Sequence, residues 1–508
     1  MKKIIPVFMF KYLILITVCN AQIERGSNWI TGYSGSRINF SNSTITTTHG
    51  IYFPFKHFHS GNSCISDTNG NIVISTNGMS VFNNNGNIIE SGDTIVSEMY
   101  FQHQSGNSFY SQTSIILSLD GNKYYLITPT YSDARYIDCY NNNGNCYFDL
   151  LLYNLIDMNA NAGSGKVIKR MMPLMQNANL RKTQMMACRH GNGKDWWLLK
   201  NEGDSANIHV FLFTQDSVYD KGVQVFNDPV WGAWDIRGQS TFNSDGSLFA
   251  TTSDGSGSLA SLGLILLADF DRCWGKLNNP RVLDMPWGSQ HNPNDTTLLD
   301  KQSVGLCFSP NSKFLYVISY TNVYQYDLQD STWFHVAGLD TIASAAQGYE
   351  TAYIGPDDKI YIGNFGGTSK QMSRIDNPDF KGAGCSFCPR CLRLDSLGAN
   401  AYVGTPPCMP NYSLGAKTCW PLQIENMNEN EWVVYPNPAS ELLYVKGNFK
   451  EKVSVTLLDI TGSIVQKNIF DPTNSILQIK VNYIKKGIYL LKVSTAGGGD
   501  TFKKVAIE

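Results

Sequence analysis

Ser309-Pro310-Asn311-Ser312-Lys313 runs directly into Phe314-Leu315-Tyr316-Val317-Ile318. The first five residues have the chemistry of a tight turn. Pro presets φ at the second turn position, while Asn and Ser hydrogen-bond their own backbone. The next five are apolar or aromatic without polar alternation, which suits a strand covered on both faces. The same unit occurs five more times. Ser66-Asp67-Thr68-Asn69-Gly70-Asn71 leads into Ile72-Val73-Ile74, and Leu119-Asp120-Gly121-Asn122-Lys123 into Tyr124-Tyr125-Leu126-Ile127. His190-Gly191-Asn192-Gly193-Lys194-Asp195 leads into Trp196-Trp197-Leu198-Leu199, and Asn243-Ser244-Asp245-Gly246-Ser247 into Leu248-Phe249-Ala250. The last is Gly355-Pro356-Asp357-Asp358-Lys359 before Ile360-Tyr361-Ile362. Asn-Gly and Asp-Gly in such places supply the positive φ of primed hairpin turns.

Successive units lie about 45 to 70 residues apart, near the period of propeller repeats with insertions. A unit that is apolar on two faces cannot cover both by itself. A ring of such units does, and leaves few exposed edges. The expectation is an all-β chain: a β-propeller of about seven blades over residues 22–421, with no helix longer than three turns. A pair of β-sandwiches satisfies the hairpin signals equally well.

The bulk composition agrees. A chain of 508 residues is long enough for two or three domains. Hydrophobic residues make up 42% and aromatics 12%, enough for sizeable cores, while charged residues are only 16%. Asn, Ser, Thr, Gly and Tyr take their place, a mixture that favours short strands and tight turns over helices. The net charge of −2 and the lack of any basic run interleaved with aromatics argue against a nucleic-acid partner.

Lys2 and Lys3 open a basic N-terminus, followed by an apolar stretch from Ile4 to Val18 and a cleavable Cys19-Asn20-Ala21 before Gln22. This is the pattern of a signal peptide over residues 1–21. The stretch is shorter than the roughly 20 apolar residues of a membrane span and is broken by Lys11. Cys19 admits a lipoprotein signal, but Val18 is larger than the residue such peptidases favour. Removing Cys19 from the twelve cysteines leaves eleven, an odd number, so disulfides formed after export leave at least one thiol unpaired.

From Cys64-Ile65-Ser66-Asp67-Thr68-Asn69-Gly70-Asn71-Ile72 to Phe82-Asn83 the body resembles the opening of WD-like propellers that precede sorting domains in substrates of the type IX secretion system. Val323-Tyr324-Gln325-Tyr326-Asp327-Leu328, the Gly355-to-Ile362 unit and Gly382-to-Cys385 match as well. The resemblance covers most of Asn28 to Tyr412 and brings no catalytic residues with it.

Gln423-Ile424-Glu425-Asn426-Met427-Asn428-Glu429-Asn430 is polar and lacks strand pattern, so residues 422–431 read as a linker. Beyond it, residues 432–508 open with Trp432-Val433-Val434-Tyr435-Pro436-Asn437-Pro438-Ala439 and then show the strands Leu442–Val445, Val453–Asp459, Ile464–Lys467, Ile476–Val481, Gly487–Val493 and Phe502–Ile507, about seven in all. That is the pattern of a small immunoglobulin-like β-sandwich. It resembles the type A sorting domain of type IX substrates in Tyr435-Pro436-Asn437-Pro438, in Leu457-to-Gly462, in Gly487-to-Val493 with Tyr489 and Lys492, and in Lys503-Lys504. The resemblance implies passage through the periplasm, contact with the secretion machinery, removal of the domain, and release or attachment to surface polysaccharide.

Chemistry-bearing motifs are few. Cys385-Ser386-Phe387-Cys388-Pro389-Arg390-Cys391, with Cys408 and Cys419 downstream, lacks the fourth cysteine of an iron–sulfur run and the second knuckle of a zinc site. Disulfides are expected there, and between Cys139 and Cys146 across Asn143-Gly144. Gly163-Ser164-Gly165-Lys166 fails the phosphate-loop pattern, since Ala160 and Val167 occupy its outer positions. Asp67-Thr68-Asn69-Gly70 places its glycine too early for a calcium loop. His57 and His59 could share a metal, although no carboxylate lies near them in sequence and packing explains them more simply. No catalytic residue, metal set or cofactor is assigned, and no turnover is expected. Carboxylates that meet only in space stay open. Two functions follow. One is a secreted or surface-displayed binding or adhesion module for a glycan or a host or environmental protein, using faces rich in Tyr, Trp and Asn. The other is a secreted glycan-active enzyme with its site in the propeller channel.

Overall fold

The computed structural model describes residues 24–33, 35–40, 45–48, 57–141, 146–203, 205–226, 237–253, 264–283, 285, 303–339, 348–394, 401–419, 432–447, 449, 452–459, 462–471, 476–495 and 501–508. The expected signal peptide and linker lie outside them. The chain divides into two compact units, Met1–Cys419 and Trp420–Glu508.

The first unit is mostly β. Among the described residues its strands form seven sheets in chain order, each an antiparallel meander. The first two sheets have three strands and the other five have four. The first strands are Asn28–Thr31, Ser63–Ser66, Ile115–Ser118, Leu180–Arg189, Ser240–Phe242, Gly305–Phe308 and Tyr349–Ile354, and they touch one another in that order. Apolar clusters fill the spaces between sheets. Trp197, Leu199, Phe249 and Leu266 join sheets 4 and 5, Ala250, Ile265, Leu306 and Leu315 join sheets 5 and 6, and Cys307, Tyr316, Tyr349 and Ile360 join sheets 6 and 7. The seventh sheet also packs on the first: Trp29 and Ile38 share a cluster with Tyr361, Met372 and Leu392, and the Trp29 and Tyr361 rings meet edge-on at 5.1 Å. Strands in such a place are covered on both faces, which is why Phe314–Ile318 and Leu180–Arg189 are buried at every position. The helices among the described residues are short; the longer of two α-helices is Asp133–Asn141.

The six turn–strand units of the sequence connect the first and second strands of sheets 2 to 7. In the sheet 3 unit both Gly121 and Asn122 have positive φ, as a primed turn requires, but the geometry of the units in sheets 4 to 7 corrects that expectation. The amide of Gly246 bonds the carbonyl of Asn243, and the Asn243 amide bonds that of Leu248; Gly193 with His190, Ser312 with Ser309 and Asp358 with Gly355 repeat the arrangement. One residue in each of these has positive φ, from 59° to 73°. A longer loop with a single left-handed residue follows the twist of the strands without the two positive φ values of a two-residue primed turn. Buried side-chain amides tie the first strands of different sheets together. Gln239 donates to Ala352 O (2.7 Å) and accepts from the amides of Leu306 and Ala352 (3.0 and 3.1 Å). Gln112 does the same for Ser240 and Met185.

The segment 401–419 has no regular structure. Val403 N bonds Ser369 O on the side where the first strands of sheets 2 to 7 begin and that of sheet 1 ends. A Cβ on Gly32 would run into the Tyr402 backbone there, so the glycine lets the two chains touch. Cys408 N bonds Asn62 O, Tyr412 Oη donates to Ile116 O, and Asn411 and Gly415 reach Ser244 and Arg272 on the side of the six turns. The segment therefore passes between the first strands from one side to the other and ends in the Cys273–Cys419 disulfide.

In the second unit, strands Trp432–Tyr435, Leu442–Gly447 and Ile476–Lys480 form one sheet. Ile464–Phe470, Val453–Leu458, Gly487–Thr495 and Thr501–Ile507 form the other. Leu443, Val445 and Ile479 of the first sheet share one core with Val455, Leu457, Leu491 and Val505 of the second.

Candidate functional site

Two places in the first unit gather chemistry. The first lies on the side where the first strands of sheets 2 to 7 begin. Glu350 is the second residue of the first strand of sheet 7 and is 5% exposed. Ser60 donates to its Oε2 at 3.0 Å, and His59 Nδ1 sits 3.1 Å from the same hydroxyl. Burial pushes the Glu350 carboxyl up to about 7 and His59 down to about 4, since neither charge is well solvated. Arg237, just before the first strand of sheet 5, adds a positive field that pulls the carboxyl back partway. Its guanidinium lies 4.5 Å from the Phe365 ring centre and 5.2 Å from that of Tyr320. Around this group stand more rings. His59 contacts Phe109 (4.8 Å), Tyr33 contacts His57 and His59 (4.2 and 5.6 Å), and Tyr33 meets Tyr402 at 6.1 Å. Phe109 and Phe365 are each 38% exposed, so two rings face solvent beside a buried carboxyl and a cation.

The second place is a cavity of about 410 Å³ on the side of the six turns. Met186, Cys188, Phe242, Phe308, Tyr353 and Met409 give it mainly apolar walls, with Pro407 to Leu414 of the crossing segment along one side.

The cysteines singled out by sequence fall into two groups. Cys139 at the end of a short helix is bonded to Cys146, with Cα atoms 5.8 Å apart, and Cys388 is bonded to Cys391. Cys419 pairs with Cys273, 146 positions away, which sequence spacing gave no reason to choose. Cys385 and Cys408 form no disulfide, contrary to expectation. Both are buried thiols, Cys385 against Tyr316 and Cys408 against Tyr353, and each faces a hydroxyl in place of a second sulfur. Burial pushes the Cys408 thiol up to about 12, which keeps it protonated and unreactive. His57 and His59 do come together but turn to different partners, His57 Nδ1 to Tyr33 O and His59 to Ser60. Lys166 of the rejected phosphate loop pairs with Glu90 at 2.6 Å. Asp67 accepts from the amides of Asn69 and Asn71, an ordinary turn.

The tail motif residues are spread along the two sheets of the second unit. Asn437 sits between two prolines, which lack amide hydrogens. Its side chain takes over strand pairing, donating to Lys504 O (3.0 Å) and accepting from Ala506 N (2.8 Å). Pro438 leads into Ala439, whose amide bonds Ala506 O. Tyr435 stacks on Tyr444, a neighbour across the sheet, and the Pro436 ring follows it. Lys503 donates to Trp432 O at 2.6 Å and lies over the Trp432 ring, while Lys492 lies over Phe502. Gly462 takes φ 84° in the turn closed by Asp459, and Gly487 opens the strand on which Tyr489 donates to Lys485 O.

Sequence reasoning did not find Glu350, Ser60, Arg237, Phe109, Phe365 or Cys273. Ser60 and Glu350 lie 290 positions apart. The one local sign is Phe365-Gly366-Gly367, an aromatic residue in a glycine loop.

A family described as the secretion system C-terminal sorting domain matches residues 433–508. The tail is thus a sorting domain of the Por, or type IX, secretion system, and it implies contact with that machinery and secretion or attachment at the outer-membrane surface. No curated protein matches the chain. Among solved structures, the chain is similar to the extracellular domain of the putative hybrid two-component system BT4673 from B. thetaiotaomicron (11% identity, TM-score 0.37). That match covers 95% of this chain and only 56% of the other. KlHsv2 with loop 6CD replaced by a Gly-Ser linker follows at 10% identity and TM-score 0.34, covering 69% and 89%. Apo AztD from Citrobacter koseri stands at 12% and 0.33, covering 75% and 87%. Likeness at these scores carries no argument.

Proposed function

We propose that this chain is a type IX substrate whose body is a seven-bladed, WD-like β-propeller displayed or released to bind a ligand, and whose tail is of type A with an immunoglobulin-like sandwich. The propeller reading is supported by an apolar cluster between each sheet and the next, and by the packing of Trp29 on Tyr361 where the seventh sheet meets the first. The single observation that carries binding is the ring-lined mouth where Phe109 and Phe365 stand exposed around Arg237 and Glu350. Exposed rings beside polar groups stack on sugar faces and accept hydroxyl partners. The test is a glycan-array screen of the full-length protein beside Phe365→Ala. The expected result is a hit that the variant loses; hits that survive it, or none at all, would speak against this mouth.

The enzyme alternative has one observation in its favour. A buried carboxyl held near 7 is poised to give up a proton at neutral pH. Hydrolysis of a bound glycan that disappears in Glu350→Gln, with binding retained, would establish it.

A further inference from the structure

We propose that the mouth around Arg237 takes an anionic saccharide, with the sugar ring against Phe365 or Phe109 and its carboxylate or sulfate on the Arg237 guanidinium. This rests on the binding-mouth reading above and names its substrate class. Among the described residues, Arg237 has no ion pair and no side-chain hydrogen bond, and its Nε is buried without a partner. Guanidinium groups in folded proteins usually satisfy several of their five donors, and a buried unmatched donor carries a desolvation penalty. The ring faces of Phe365 and Tyr320 hold the group in place yet accept none of its N–H bonds. Glu350, whose carboxyl feels the Arg237 charge, is engaged by Ser60. The guanidinium is therefore held between rings, partly stripped of water and without an ion pair or hydrogen-bonding partner among the described residues, beside an exposed ring. A bidentate oxyanion fits its fork, and a pyranose face fits the ring.

Two more orphaned atoms lie on the same side. Gln184 Oε1 and Asn364 Oδ1 are buried acceptors without donors. Gln184 Nε2 bonds Arg237 O, and Asn364 immediately precedes Phe365. Acceptors next to an anion-seeking cation suit a ligand that carries hydroxyl donors as well as charge, which describes an acidic sugar better than a simple ion.

The test uses the full-length protein in binding titrations with polygalacturonate, its methyl-esterified form, dextran sulfate, plain dextran and a single-stranded oligonucleotide. The charged member of a pair is expected to bind at least about tenfold more tightly than its neutral counterpart, the scale of one charge-assisted hydrogen bond. Carboxylate and sulfate are told apart by which pair shows it. Arg237→Gln should erase the preference, Arg237→Lys should keep part of it, and Phe365→Ala should weaken all saccharides alike. Equal affinity for charged and neutral polymers, or stronger binding to the oligonucleotide, overturns the proposal. If Phe365→Ala still weakens binding in the equal case, the mouth stands and only the anionic class falls. If no saccharide binds, both fall. Should Arg237→Gln not fold, the esterified and free polymers on the unaltered protein decide alone.

Discussion

The first and second units are both made of short antiparallel strands, yet they solve the burial problem differently. In the tail a strand such as Ile476–Lys480 alternates buried and exposed residues, because each sheet has one face on the core and one in water. In the body, Ile115–Ser118, Gly305–Phe308 and Phe314–Ile318 are buried throughout, because apolar clusters join these sheets to their neighbours. The tail can settle its register by alternation alone. The body cannot, and depends on ties that join distant positions: the two buried glutamines, the crossing segment 401–419 and the Cys273–Cys419 bond. Damage to one tie should then be costly in the body and mild in the tail.

The largest effect expected is from the double substitution Cys273→Ser with Cys419→Ser. It frees a loop of 146 positions and should lower stability by about 3 to 5 kcal/mol on the chain-entropy estimate. Denaturant unfolding followed by tryptophan fluorescence would show it; an unchanged midpoint would mean that the crossing segment holds itself in place.

Gln239→Ala should follow at about 3 kcal/mol, since it strands two amides and a carbonyl in the interior. A loss below about 1 kcal/mol would place these ties among ordinary surface contacts.

Glu350 gives the body a pH signature. Its carboxyl is raised in the folded state, so between about 4.5 and 7 the folded chain holds the extra proton. Stability from this group therefore falls as pH rises through that window, by about 3 kcal/mol in total. His59 works the other way: lowered to about 4, it costs stability as pH drops below its ordinary 6.5. Glu350→Gln should gain on the parent steadily from pH 4.5 to 7.5 in thermal melts. A constant difference across that range would show that Glu350 does not titrate abnormally.

Asn437→Ala should be the mildest. It removes two exposed hydrogen bonds to the last strand, worth about 1 kcal/mol together. A larger loss would mean that the tail, too, hangs on a single tie.

The same contrast explains what could be read from sequence. Six of the seven tail strands were legible to within two or three residues, because alternation and turn residues are local signals, and the first lies inside the opening run Trp432 to Ala439. In the body the first hairpins of sheets 2 to 7 announced themselves through Asp-Gly, Pro-Asn and similar turns before apolar runs. The outer strands did not. Val218–Gln224 and Lys276–Val282 are mostly exposed and polar, so neither periodicity nor hydrophobicity marks them. The crossing segment has no pattern at all, since its partners come from most of the sheets. Of the candidate site, only His57 and His59 were noticed; Arg237 and Glu350 meet them through the arrangement of sheets 2, 5 and 7, and nothing near either residue records that. Cys385 and Cys408 misled because spacing suggested bridges where the fold supplies Tyr316 and Tyr353 as neighbours.

The central claim is that the tail exports a body able to stand without it, and cell fractionation tests it most directly. A chain ending at Glu425 keeps Cys419 and every tie of the body while losing the sorting domain. The expected result is full-length protein at the surface or in the medium, and truncated protein in the periplasm, protease-resistant and with its Cys273–Cys419 bond formed. Truncated protein reaching the surface in equal amount would contradict export by the tail, and truncated protein recovered only as aggregates or fragments would contradict a self-sufficient body.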